Sequence, residues 1–83
     1  MYNIWFCKII SKDTSEKSKI GGLEYIKLMY EEIEKEDLQK YAMSLCKDLK
    51  YIYGGIIDER YVLFKNDSNY CLFFEELLEN EVI

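Results

Sequence analysis

The sequence predicts an α+β domain: a small, mainly antiparallel sheet of about three strands packed on one or two helices in the order β-α-(α)-β-β. Three observations predict it. Tyr2 to Ile10 is dense in aromatic and branched residues. Beyond Gly21-Gly22 the apolar residues recur at helical spacing. Beyond Gly54-Gly55 they return to strand-like runs on either side of a polar turn. At 83 residues the chain is one domain, 1–83, and a chain of that length buries only about 60–65% of the surface its unfolded form exposes.

In the first predicted strand Tyr2, Ile4, Phe6 and Ile10 fall on one side, and Trp5, Cys7 and Ile9 on the other. Ser11 to Lys19 is polar and reads as a loop, closed by Gly21-Gly22. Leu23, Ile26, Tyr30 and Ile33 then form one stripe of a helix. Leu38, Tyr41 or Ala42, Leu45, Leu49 and Ile52 continue a similar stripe. An unbroken helix from Leu23 to Tyr53 would run about 45 Å, more than a compact domain of this size can cover. A break near Lys35 to Asp37 is therefore expected, giving two helices. Gly54-Gly55 ends the helical region.

Ile56 to Lys65 reads as a strand, Asn66 to Asn69 as a turn and Tyr70 to Phe74 as the return strand of a hairpin. The tail 75–83 either continues that strand or forms a short helix on Leu77, Leu78 and Val82. Tyr61 and Leu63 oppose Val62 and Phe64, while Tyr70, Leu72 and Phe74 oppose Cys71 and Phe73. Both faces of the sheet are thus apolar; the helices can cover one, and nothing but a short C-terminal helix remains for the other. The other, rich in aromatic residues, is expected to meet a partner: a second copy of the chain or a different protein.

Composition narrows the chemistry. Hydrophobic residues make up 49% of the chain, which rules against disorder. The net charge of −5 argues against a nucleic-acid binder and against an anionic membrane surface. Residues 1–30 carry five Lys against three acids, a net +2; residues 31–83 carry six Lys and Arg against thirteen acids, a net −7. Cys7, Cys46 and Cys71 sit among apolar neighbours without a CxxC spacing, and read as buried free thiols of a reducing compartment. With no signal-peptide pattern and no long apolar run, the expected location is the cytoplasm, that of the host if the chain is phage-encoded.

The chain has no histidine, so the usual hydrolytic triad is not available and the cysteines lack a base. No cofactor and no metal site is expected. Gly21-Gly22 and Gly54-Gly55 belong to neither phosphate-binding glycine pattern. Asp58, Glu59 and Lys65 loosely suggest the acids and lysine of a metal-dependent enzyme, without its spacing.

The segment Glu31–Asp37 holds five acids in seven residues: Glu31, Glu32, Glu34, Glu36 and Asp37. It reads either as a solvated helix end or as a docking patch for Lys and Arg of a partner. Tyr30 and Tyr41 flank it and are the expected apolar anchors of such a patch. Tyr25, Tyr51 and Tyr53 are expected at the edge of the core with wet hydroxyls.

No motif identifies a family. The composition resembles that of very small, acidic, tyrosine-rich, Lys/Ile/Glu-biased proteins of phages and other mobile elements. Many of those block a host enzyme or nuclease complex stoichiometrically, as anti-CRISPR proteins and other anti-defence inhibitors do. The resemblance covers the whole chain and implies a non-enzymatic protein that occludes a basic, nucleic-acid-handling surface. The alternatives are a self-assembling homodimeric structural or regulatory module and, more remotely, a small metal-dependent enzyme.

Overall fold

A computed structural model of the chain describes residues 1–12 and 20–78. Five antiparallel strands form one sheet in the order β2-β1-β5-β4-β3. They are β1 (Tyr2–Lys12), β2 (Ile20–Ile33), β3 (Tyr53–Ile57), β4 (Tyr61–Phe64) and β5 (Asp67–Glu76). A 3₁₀ turn (Lys35–Asp37) leads into α1 (Leu38–Leu49), the single α-helix among the described residues. The expected three-stranded sheet on one or two helices, ordered β-α-(α)-β-β, is therefore corrected to a mostly β fold with one short helix.

The largest correction is the first expected helix. Leu23 to Ile33 belongs to β2, an edge strand paired with β1. Its apparent helical period has a physical origin. Opposite Ile4 and Tyr2 stand Tyr30 and Ile33, and opposite Trp5 and Phe6 stand Leu28 and Lys27, but opposite Cys7 stands Tyr25. Each of these three irregularities inserts one extra residue into β2, as a β-bulge does. The residues opposite Phe6, Ile4 and Tyr2, which are Lys27, Tyr30 and Ile33, are thereby spaced by three instead of two, with Ile33 buried and Lys27 exposed. Glu32 takes up one insertion in a left-handed conformation, φ 54°, and its N–H donates to Asn3 Oδ1 at 3.1 Å.

The second half follows the sequence more closely. The 3₁₀ turn falls where a break was expected, and Leu38, Ala42, Leu45 and Cys46 form the buried stripe of α1. The helix stops at Leu49 with Lys50 left-handed at its end, φ 63°, so Tyr51 to Tyr53 lie beyond it. Gly54 and Gly55 lie inside β3 instead of ending the helix. A side chain at Gly54 would place its Cβ 2.7 Å from the Leu63 carbonyl oxygen. Gly54→Ala is expected to lower the unfolding free energy by about 1–3 kcal/mol, read as a drop in the urea midpoint.

The single strand expected over Ile56 to Lys65 is two strands. Asp58 and Glu59 turn the chain between β3 and β4 with φ of 53° and 56°. The Arg60 N–H closes the turn on the Ile57 carbonyl at 3.1 Å. Two left-handed residues in succession suit glycine or asparagine, which is why the Asp-Glu pair did not read as a turn. Glu59→Gly is expected to raise stability by about 0.5–1 kcal/mol, measured by the same denaturation. The turn expected over Asn66 to Asn69 lies instead at Lys65 and Asn66, with Asp67–Asn69 already in β5. The ladder slips there, since Leu63 opposes Cys71 while Phe64 opposes Asp67.

Helix α1 packs on one face of the sheet. Ile4, Val62, Phe64, Leu72 and Phe74 are buried beneath it with Ile33. Tyr2, Phe6, Tyr30, Tyr41, Tyr51, Tyr53 and Tyr70 seal the rim of that core. The rings of Tyr51 and Phe64 lie 4.0 Å apart and nearly parallel, and those of Phe6 and Tyr70 lie 5.4 Å apart. The molecule measures 42 × 29 × 21 Å. The shortest dimension matches one sheet plus one helix layer, each about 10 Å. The sequence-derived loop residues 13–19 and the tail residues 79–83 lie outside the described residues. Of the tail, Glu75 and Glu76 continue β5 and Leu77 and Leu78 lie beyond it.

Candidate functional site

Two surfaces carry the functional reading, and the strands fix both. The first is the acidic segment. Glu31 and Glu32 close β2, Glu34 precedes the 3₁₀ turn, and Glu36 and Asp37 lie within it. Glu31, Glu32, Glu34 and Glu36 are exposed and Asp37 is half-buried. The run is therefore a ridge from a sheet edge to the start of α1. The first turn of the helix itself carries no acid, and the Asp37 side chain makes no capping hydrogen bond. The helix-end explanation thus applies to the 3₁₀ turn alone.

Tyr30 and Tyr41 come together beneath this ridge, ring centroids 4.9 Å apart and edge-on at 61°. Both are half-buried against the core. They brace the ridge from below, with part of each ring still open to a partner.

The second surface is the sheet face away from α1. Register places one row of side chains across all five strands: Leu28, Trp5, Phe73, Tyr61 and Ile57. A second row runs Tyr25, Cys7, Cys71 and Leu63. The aromatic members touch in series. Trp5 and Tyr25 are 5.1 Å apart, Tyr25 and Phe73 5.7 Å, and Tyr61 and Phe73 5.4 Å. No helix covers these rows among the described residues, and Tyr25 is 49% exposed. Tyr25 thus lies on this open face and not at the core edge expected of it. Tyr51 and Tyr53 do lie at the core edge.

Glu75 is the one charged residue that the register places on this face among the described residues. Its Oε1 accepts hydrogen bonds from Trp5 Nε1 at 2.9 Å and from Asn3 Nδ2 at 3.3 Å. Asn3 also holds Glu32, so one side chain ties the acidic ridge to the aromatic face. Sequence reasoning missed Asn3 and Glu75. They lie 72 residues apart, and no local pattern marks the pair.

The thiols of Cys7 and Cys71 are direct cross-strand partners, both inaccessible and unbridged. Cysteine is short, so taller aromatic neighbours bury it even on an uncovered face. Burial pushes the Cys7 thiol up to about 11. Burial, and then the neighbouring Cys7, push Cys71 up to about 12. Both remain protonated near neutrality and are poor nucleophiles. Burial also raises Tyr25, with Cys7, Glu75 and Tyr61 acting in the same direction.

A shallow cleft of about 460 Å³ separates the Asp58–Arg60 turn from the end of β5, with Tyr2, Tyr25, Phe73, Glu75 and Glu76 along its walls. Four carboxylates against one guanidinium make it repel phosphate. Asp58 and Glu59 stand at one end of β4 and Lys65 at the other, so the loosely suggested acid-and-lysine group is not assembled. No group of three or more Cys, Asp or Glu among the described residues is placed to hold a metal ion. No helix among them is long and apolar enough to cross a membrane. Compared with known proteins, the chain matches no family, no curated protein and no solved structure.

Proposed function

We propose that the chain is a non-enzymatic protein-binding module that docks its acidic ridge onto a basic, nucleic-acid-handling protein in the cytoplasm and blocks it. The observation that carries this reading is the presentation of Glu31, Glu32, Glu34 and Glu36, all exposed on one ridge, over the braced Tyr30–Tyr41 pair. The ridge offers carboxylates at the spacing of a strand end and a tight turn, which suits Lys and Arg side chains. The compositional resemblance to phage-borne inhibitors, anti-CRISPR proteins among them, points the same way.

A ridge of this kind accelerates encounter with a positive surface and loses that advantage as salt rises. The test replaces Glu31, Glu32, Glu34 and Glu36 with Gln and Asp37 with Asn in one variant. Affinity capture from host lysate by the wild-type chain is expected to retain a Lys/Arg-rich protein at low salt. The variant is expected to associate with that protein at least about tenfold more slowly, with an unchanged far-ultraviolet circular dichroism spectrum. Equal association rates for variant and wild type would remove the ridge from the binding site.

A further inference from the structure

We propose that Cys7 and Cys71 form a redox-operated staple: two opposed thiols that close into a disulfide between β1 and β5 under oxidation and reopen under a thiol reductant.

Register brings the two together. Cys7 stands directly opposite Cys71, in a ladder that pairs without a slip from Tyr2 and Glu76 to Lys8 and Tyr70. Directly opposed residues of antiparallel strands have Cα atoms about 4.5–5.5 Å apart, inside the window of about 4.4–6.8 Å that a disulfide spans. Their side chains leave the sheet on the same face. A slip of one residue would send them to opposite faces, and the six regular pairs beside them hold the register against it. The bond therefore forms with both strands where they already stand.

The third cysteine is walled off. Cys46 belongs to α1 and to the core on the other side of the sheet. Cys7 and Cys71 lie on the side that no helix covers among the described residues. All three thiols are buried and unbridged. What covers the pair is side chains, with Tyr25 opposite Cys7 in β2 and Leu63 opposite Cys71 in β4. Tyr25 is itself 49% exposed. An oxidant thus reaches the pair by displacing side chains, with the ladder intact.

The oxidant is a low-molecular-weight disulfide, for which oxidised glutathione serves as the probe. The thiolate of Cys7 or Cys71 attacks one of its sulfurs, forming a mixed disulfide and expelling one glutathione thiolate. The opposing protein thiolate then attacks the protein sulfur of that mixed disulfide and expels the second. The two protein thiols lose two electrons and two protons, and oxidised glutathione takes up both as two glutathione thiols. Burial keeps Cys7 and Cys71 protonated near neutrality, which slows the first attack. The staple therefore answers sustained oxidation and is not a fast sensor.

The bond falls at the joint of the fold. β5 alone links the β2-β1 pair to the β4-β3 pair. A covalent tie between β1 and β5 makes that link permanent and closes a ring over residues 7–71. So long a ring removes much of the freedom of the unfolded chain, and stabilises the folded one accordingly.

Trypsin places the three cysteines in separate peptides, residues 1–8, 41–47 and 66–83. The folded full chain is incubated with excess oxidised glutathione to constant composition, blocked with N-ethylmaleimide in urea and digested. Mass spectrometry is expected to find residues 1–8 joined to residues 66–83, with Cys46 carrying the blocking group. The urea midpoint of the oxidised chain is expected to rise by about 1 M or more, and dithiothreitol is expected to return it to its starting value. Cys46→Ala keeps this response and Cys7→Ala abolishes it. A bridge to Cys46, a bridge between two chains, a mixed disulfide that goes no further or three free thiols overturns the proposal. So does a bridged chain whose urea midpoint is unchanged. If Cys7→Ala fails to fold, the peptide map and the urea midpoint of the wild-type chain decide by the same outcomes.

Discussion

Replacing Leu72 with alanine is expected to lower the unfolding free energy by about 3–4 kcal/mol. Leu72 is completely buried in β5, the strand with neighbours on both sides at the middle of the sheet. Register sets it between Phe6 of β1 and Val62 of β4, under the face that α1 covers. Removing its branched end leaves a void between three strands and a helix, and hydrogen-bonded strands cannot close in to fill it. A domain of this length holds about 4–12 kcal/mol in total, so about a quarter or more of the stability goes with one side chain. Urea denaturation followed by circular dichroism, at fixed protein concentration, measures it. A loss below about 1 kcal/mol would mean that the core does not close around β5.

Raising the pH is expected to destabilise the protein by a similar amount through Cys7 and Cys71. Their thiols titrate near 11 and 12 in the folded chain against an ordinary 9.0. The folded values are raised, so above the unfolded value the unfolded chain has released protons that the folded chain still binds. Stability is therefore complete below about pH 9 and falls as pH climbs toward 11 and 12. Each thiol contributes a slope of about 1.4 kcal/mol per pH unit in that window. Together they amount to about 5 kcal/mol by pH 11. Urea midpoints in reducing buffer between about pH 8 and 11 should trace the decline. A variant with both cysteines replaced by alanine should lose most of it. A decline of equal size in that variant would assign the alkaline sensitivity to other groups.

Sidedness was legible in the sequence wherever the ladder is regular. The alternation of Ile4 and Phe6 against Trp5 and Cys7, and of Leu72 and Phe74 against Cys71 and Phe73, assigns faces correctly because β1 and β5 pair without a slip. Helix α1 was legible because Leu38, Ala42 and Leu45 keep one strict period. β2 was not, since its inserted residues turn a spacing of two into three, which a one-dimensional reading takes for a helix. The β3–β4 turn was hidden because Asp58 and Glu59 occupy conformations that ordinarily select glycine or asparagine. The acids of the ridge could be read as a run. Their arrangement could not, because Asn3 anchors Glu32 from 29 residues away.

The position of β5 governs how the protein comes into being. It is made after the other four strands yet lies between β1 and β4, and it alone joins the β2-β1 pair to the β4-β3 pair. Until it emerges, the nascent polypeptide holds two separate ribbons, each too slight to persist in water. Assembly is therefore deferred to a late, all-or-none step that must bring together segments some sixty positions apart, a slow topology. In that interval the bare margin of β1 is a template for other chains. Cells that make much of this protein are expected to need a holdase at the ribosome exit.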